Sequence, residues 1–129
     1  MVSYDSSYNP PAPILDVTCS NPHDPTAGVI SNKALIDSGA FKTVIPEEWV
    51  SRLGLLPVRT HSPRGYKIEV KKQEHYCYIV EIAFEEYTFT LEVIAAKREN
   101  ILVGRDILND LKLILDGKNL NFEITDLDT

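Results

Sequence analysis

Ala34-Leu35-Ile36-Asp37-Ser38-Gly39-Ala40 is a short apolar run that stops at an acid, a hydroxyl residue and a glycine. An acid at the end of a buried strand places its carboxylate at a cleft, where the hydroxyl and nearby amides can hold it. Taken alone, Asp-Ser-Gly is ordinary turn chemistry. The flanks narrow the reading. Thr43-Val44-Ile45-Pro46 follows closely, and Ile101-Leu102-Val103-Gly104-Arg105-Asp106-Ile107-Leu108-Asn109 comes later with the same grammar: apolar strand, glycine-containing turn, short helix. There is no tandem repeat at a solenoid period, only this looser echo between the two halves.

Outward from the triplet, the chain reads as mostly antiparallel β. Ile14 to Cys19 alternates as a strand and ends at the turn-rich Ser20-Asn21-Pro22-His23-Asp24-Pro25, after which Val29 to Ile36 runs into Asp37. Pro46 to Gly54 has the punctuation of a brief helix. Pro46 suits the first helical position, Glu47 and Glu48 its positive end, and Gly54 the left-handed cap, while Trp49 and Leu53 face the core together. Pro57 to Ile94 predicts two long hairpins, with Tyr76, Tyr78, Val80 and Ile82 on one face and Phe89, Leu91 and Val93 on one face of the next strand. A second helical stretch is expected from Ile107 to Leu111. A final hairpin joins Leu113-Ile114-Leu115 to Leu120 through Ile124 at Asp116-Gly117.

With 129 residues the chain has room for one core. We expect a loosely ordered arm over residues 1–12, rich in Ser, Tyr, Asn and Pro, and a single domain over 13–129. A net charge of -6 argues against nucleic acid as a partner, because phosphate binding depends on clustered Lys and Arg. No run reaches the roughly 18 apolar residues that span a bilayer, and the opening residues lack the pattern of a secretory signal, so the expected setting is cytoplasmic, away from membranes. Cys19 and Cys77 are too few and too far apart for a disulfide scaffold or a zinc knuckle, and read as reduced core residues. Neither a metal nor an organic cofactor is expected.

The Asp37-Ser38-Gly39-Ala40 loop, an intervening hairpin and the apolar-apolar-Gly104-Arg105-Asp106 motif before a short helix stand in an order that resembles the retropepsin-like, or retroviral-type, aspartic proteases. The likeness runs from about Ile14 to Ile124 and looks most like single-domain prokaryotic members. It implies an all-β closed barrel with one or two short helices, one lobe per chain, joined as a twofold homodimer that hydrolyses peptide bonds at the subunit boundary. Carried onto this sequence, Asp37 would be the catalytic carboxylate, Ser38 would bond across the dimer axis, and Gly39 would let backbone approach substrate. Ala40, Phe41, Pro63, Arg64, Gly65 and Tyr66 would meet the substrate, the last four at the tip of a flap. Gly104, Arg105 and Asp106 would brace the loop. The position after Ala40 is acidic in many retroviral members and is Phe41 here. Arg105 and Asp106 also have an ordinary reading, with Asp106 capping the helix at Ile107 and Arg105 in a surface ion pair.

The implied reaction needs two carboxylates: one takes a proton from water while its protonated partner polarises the scissile carbonyl. One chain supplies a single Asp-Ser-Gly, so the chemistry itself calls for a second copy. Three functions fit the sequence. The first is a dimeric aspartic endopeptidase. The second is a proteolytically silent, homodimeric peptide-binding module, and the third a small β-rich interaction domain in which Asp37 is only a turn residue.

Overall fold

Strand β2 (Ile14–Ser20) buries Leu15, Val17 and Cys19 and exposes Asp16, the period-two pattern of a strand with one face on a core. It pairs antiparallel with β3 (Val29–Ile36) along its whole length, from Ile14 opposite Leu35 to Ser20 opposite Val29. The computed structural model describes residues 1–61 and 75–126. Five further strands complete the main sheet: β4 (Val44–Pro46), β5 (Arg59–His61), β6 (His75–Phe84), β7 (Tyr87–Ala96) and β8 (Ile101–Val103). Their order is β2-β3-β8-β4-β7-β6-β5, and β2 also pairs with β6 at Cys19 and Ile82, so six strands close into a barrel with β5 appended.

Closure removes the sheet edges and creates an interior that branched side chains fill. Cys19, Ile45, Val80, Ile82, Val93, Ile101, Val103 and Ile107 are completely enclosed there. Each such aliphatic side chain contributes on the order of 1.5–3 kcal/mol through burial.

A second sheet lies outside the barrel, in the order β1-β10-β9, from β1 (Val2–Ser3), β9 (Leu111–Asp116) and β10 (Asn121–Asp126). Within residues 1–12, expected from sequence to be a loose arm, Val2 to Tyr4 bond to this sheet and Asp5 and Ala12 bond to each other. Val2 pairs with Phe122, the Tyr4 amide donates to the Leu120 carbonyl at 2.8 Å, and Asp5 and Ala12 bridge.

The all-β expectation with one or two short helices holds, two α-helices being present among the described residues, with shifts at several boundaries. Helix α1 is Trp49–Arg52, and Pro46 ends β4 instead of opening the helix. Proline is tolerated there because the amide of Glu47 makes the next bond, to the Ala96 carbonyl at 2.8 Å. Trp49 and Leu53 are buried together and Gly54 takes a positive φ of 64°, as its position past the last turn requires. Helix α2 is Arg105–Leu108, two residues earlier than expected, because Leu111 is already needed as the first buried residue of β9. On β6, Tyr78, Val80 and Ile82 turn inward, but Tyr76 is exposed where the strand projects past the barrel to pair with β5. In the last hairpin the left-handed residue is Leu120, at the end of a turn that Asp116 fastens by accepting from Asn119.

Candidate active site

The two sequence motifs that share a grammar are neighbours in space. β3 and β8 lie side by side and parallel, with Ile36 opposite Val103, and both end at the same rim of the barrel. From that rim the Asp37 amide donates to the Val103 carbonyl at 3.0 Å, so the loop starts from a fixed point on the neighbouring strand. The next bonds are internal to the loop. The Ala40 amide donates to the Asp37 carbonyl at 3.1 Å, and the Gly39 amide donates to Asp37 Oδ1 at 2.9 Å. Asp37 is half-buried, while Ser38 and Gly39 are exposed. One carboxylate oxygen is therefore pinned and the loop faces outward. A Cβ on Gly39 would stand 3.1 Å from Asp37 Oδ1, so this position has little room for a side chain.

The second motif closes over the loop from behind. The Arg105 amide donates to the Ala40 carbonyl at 2.8 Å, and Arg105 Nη1 donates to the Ser38 carbonyl at 2.9 Å. Gly104 is buried against the loop. A Cβ there would lie 2.7 and 2.8 Å from the Lys42 carbonyl carbon and oxygen and 2.9 Å from the Ala40 oxygen, closer than van der Waals contact permits. Only glycine lets these backbones approach.

Asp106 does not cap α2. Its carboxylate turns toward the loop, accepting from the Thr43 amide at 2.9 Å and the Thr43 hydroxyl at 2.7 Å. That hydroxyl accepts in turn from the Gly104 amide at 3.1 Å. Thr43 is wholly enclosed, and it was not among the site residues expected from sequence. The signal was present: a hydroxyl residue in an apolar run must find partners when buried, and a Gly-Arg-Asp turn offers an amide donor and a carboxylate.

Asp37, Ser38, Gly39, Ala40 and Phe41 thus lie on one loop, with Gly104, Arg105 and Asp106 packed against it. Phe41 is 55% exposed beside the triplet, and Arg105 is aimed at a backbone carbonyl of the loop where an acidic neighbour is missing. Pro63, Arg64, Gly65 and Tyr66, expected at the flap tip, fall outside the described residues. The β5–β6 pairing that would form the base of such a hairpin is present, with Thr60 opposite Tyr76 and His61 opposite His75.

A six-strand closed barrel whose paired rim strands carry these two motifs has the retropepsin-like fold. It is shared with solved structures of this class. A retropepsin-like aspartic protease from Rickettsia conorii matches with a TM-score of 0.61 and 13% identity, over 96% of this chain and 86% of that one. The EIAV protease in complex with the inhibitor HBY-793 matches with a TM-score of 0.51 and 21% identity, over 77% and 86%. The retroviral protease-like domain of Ddi1 from Leishmania major matches with a TM-score of 0.50 and 19% identity, over 87% and 88%. These relatives are viral, bacterial and protozoan, so the likeness singles out no lineage and in particular does not establish a prokaryotic type. No protein-family model matches the sequence, and no curated protein does. Among the described residues, no helix is long and apolar enough to cross a membrane.

Proposed function

We propose that this chain is one half of an aspartic endopeptidase, with the active site completed by Asp37 of a second copy. The observation that carries this reading is the state of Asp37. Its carboxylate sits at the rim of a closed barrel, one oxygen held by the Gly39 amide, on a loop anchored from two sides by β8 and Arg105. A turn residue with no further role has no need of such bracing. A group that must meet its symmetry mate at a set distance does.

In the proposed reaction two Asp37 carboxyls face each other and share one proton, since two adjacent carboxylates resist being ionised together. The ionised group takes a proton from a water whose oxygen attacks the scissile carbonyl carbon. The protonated partner hydrogen-bonds to the carbonyl oxygen and passes its proton to it. The carboxyl that took the proton from water then gives it to the amide nitrogen, the C–N bond breaks, and a hydroxyl of the tetrahedral intermediate returns its proton to the other carboxylate, so that acid and amine leave and the pair again holds one proton. Ser38 would bond across the twofold axis, and Gly39 would let an extended peptide lie close to the loop. Ala40 and Phe41 would contact the substrate on either side, with Pro63, Arg64, Gly65 and Tyr66 closing over it. Gly104, Arg105 and Asp106 would act as support through the bonds described above. Cys19 and Cys77 are both buried and carry no disulfide, which fits a reducing compartment, in keeping with a cytoplasmic enzyme.

Cleavage of a mixed peptide library across about pH 4 to 7 tests the reading directly. The wild type should cut and Asp37→Asn should not. No cleavage by either protein would favour a silent peptide-binding module, and equal cleavage by both would remove Asp37 from the chemistry.

A further inference from the structure

We infer that the barrel wall carries a second peptide-binding site at Ile79, which takes one residue of an extended peptide bearing an aliphatic side chain next to a cationic one. The inference goes beyond the two-carboxylate reading and does not depend on it. Closure is interrupted where β6 passes from one partner to the next: β2 pairs with it at residues 81–83 and β5 at residues 75–77. The residues between face a gap. Along β6 every second residue turns its amide and carbonyl away from β7. Cys77 does so, accepting from the Val58 amide at 2.8 Å, and Glu81 lies opposite Ser20 of β2. Ile79 stands midway and shares their direction, so both of its backbone groups point into the gap. Neither flank reaches them. β2 ends at Ser20, and the chain then turns back, with the Asp24 amide bonded to the Asn21 carbonyl at 3.1 Å. Pro22, in that turn, has no amide to give, and neither has Pro57, which precedes Val58 on the other side. Among the described residues, neither flank forms a backbone bond to Ile79. A donor and an acceptor left open side by side in a sheet are what an added strand takes up.

The surroundings say what kind of chain fits. The gap opens on a cavity of about 300 Å3 whose lining includes Asn21, Asp24, Leu55, Leu56, Val58 and Ile79. Leu56 is 80% and Val58 51% exposed, so this wall presents apolar surface to solvent. An extended residue bonded to Ile79 sets its side chain beside that of Ile79 on the same face of the sheet, against this wall, which selects an aliphatic group. A cation is favoured next to it. Asp24 lines the cavity with its Oδ1 accepting from the Thr26 amide, and a Cβ on Gly54 would stand 3.9 Å from its Oδ2. The net charge of -6 acts in the same direction. The site is also built in advance. Buried Asn21 ties its two walls together, with Nδ2 donating to the Leu53 carbonyl at 2.9 Å and Oδ1 accepting from the His23 amide at 2.9 Å. Asp37 lies past the other end of β3, a strand of 8 residues or roughly 25 Å, so the two sites hold separate stretches of chain.

The test uses the Asp37→Asn chain, so that cleavage cannot consume the probe, and the capped peptide acetyl-Ala-Lys-Leu-Lys-Ala-amide, followed by NMR of the backbone amides. The Ile79 amide should shift saturably, and its hydrogen exchange should slow by about tenfold or more at saturation. Methylating the nitrogen of the central leucine deletes the donor to the Ile79 carbonyl and should weaken binding about tenfold. On the protein side, Asp24→Asn keeps the bond from Thr26 while removing the charge, and Leu56→Ser alters an exposed side chain. Each should weaken binding by about threefold. Because the methylated peptide changes only the ligand, the test stands even where a variant folds poorly. Equal binding of the methylated and unmethylated peptides would overturn the site. So would shifts confined to the Asp37 loop, or an Ile79 amide that does not respond up to millimolar peptide. None of these results touches the two-carboxylate reading, which library cleavage by the wild type decides separately.

Discussion

Thr43→Val removes one hydroxyl and almost nothing else, which makes it a sharp probe of the bracing behind the Asp37 loop. The side chain is completely enclosed, and valine fills nearly the same space, so no cavity is created. What is lost is a 2.7 Å bond from the hydroxyl to Asp106 Oδ1 and a 3.1 Å bond that the hydroxyl accepts from the Gly104 amide. A hydrogen bond to a charged group is worth about 1.5–3 kcal/mol, and a buried amide left without an acceptor costs about 1–3 kcal/mol. Asp106 is only half-buried, so water can replace part of the first contribution, and the expected loss is roughly 2–4 kcal/mol. Thr43→Ser keeps both bonds and deletes a methyl group, at a cost of roughly 0.5–1.5 kcal/mol. Urea unfolding of the three proteins, with equal slopes, should rank wild type above Ser and Ser above Val. If Val equals or exceeds Ser, burial and not the hydroxyl network holds the loop, and the reasoning fails.

Gly104→Ala must push its Cβ into the Lys42 and Ala40 backbones, and should cost about 1–3 kcal/mol in thermal unfolding. Because those atoms belong to the loop that carries Asp37, the proposed catalytic group, the kcat/KM expected from that proposal should fall further than the lost stability explains. Arg105→Met removes the 2.9 Å contact to the Ser38 carbonyl from an exposed side chain. It should lower kcat/KM by about tenfold while the melting temperature barely moves, and Arg105→Lys should recover part of the loss. Burial pushes the Cys19 thiol up to about 12, so a short iodoacetamide pulse at mildly alkaline pH should leave the native chain unlabelled at this position by mass spectrometry. The unfolded thiol ionises near 9.0, so this group's contribution to stability is complete below that pH and is lost as pH rises toward 12, which urea midpoints taken up the alkaline range should follow.

Much of the barrel was legible because its strands alternate cleanly and its two motifs are distinctive. β2 and β3 announce themselves by Leu15, Val17 and Cys19 on one face and by the run into Asp37. Closure was implied only by the family resemblance, and its particular pairing of Cys19 with Ile82 was not legible, since a pairing between strands so far apart in sequence leaves no local pattern. The contacts of the first residues were not legible for a related reason. Residues 1–12 have no periodicity of their own, and Val2 and Tyr4 are held by β10, a partner at the other end of the chain. At the site, Asp37 stood out by its place at the end of an apolar strand, whereas Gly104 and Arg105 were named only through the family resemblance that the two motifs carry. The role of Asp106 was legible only in part, because a helix-start aspartate ordinarily caps and here Thr43 offers a closer pair of donors. Tyr76 shows the limit of periodicity: its alternation is correct, but the strand has left the barrel before reaching it.

The central claim is that two Asp37 carboxylates act as one unit, and a mixing experiment measures that directly. Wild-type and Asp37→Asn chains are allowed to exchange at constant total concentration, and peptide cleavage is followed as the mutant fraction rises. With half of the chains replaced, random pairing leaves about a quarter of the dimers with both carboxylates, so activity should fall to about a quarter. A fall to only about half would mean that each Asp37 works alone, and the shared active site would be wrong.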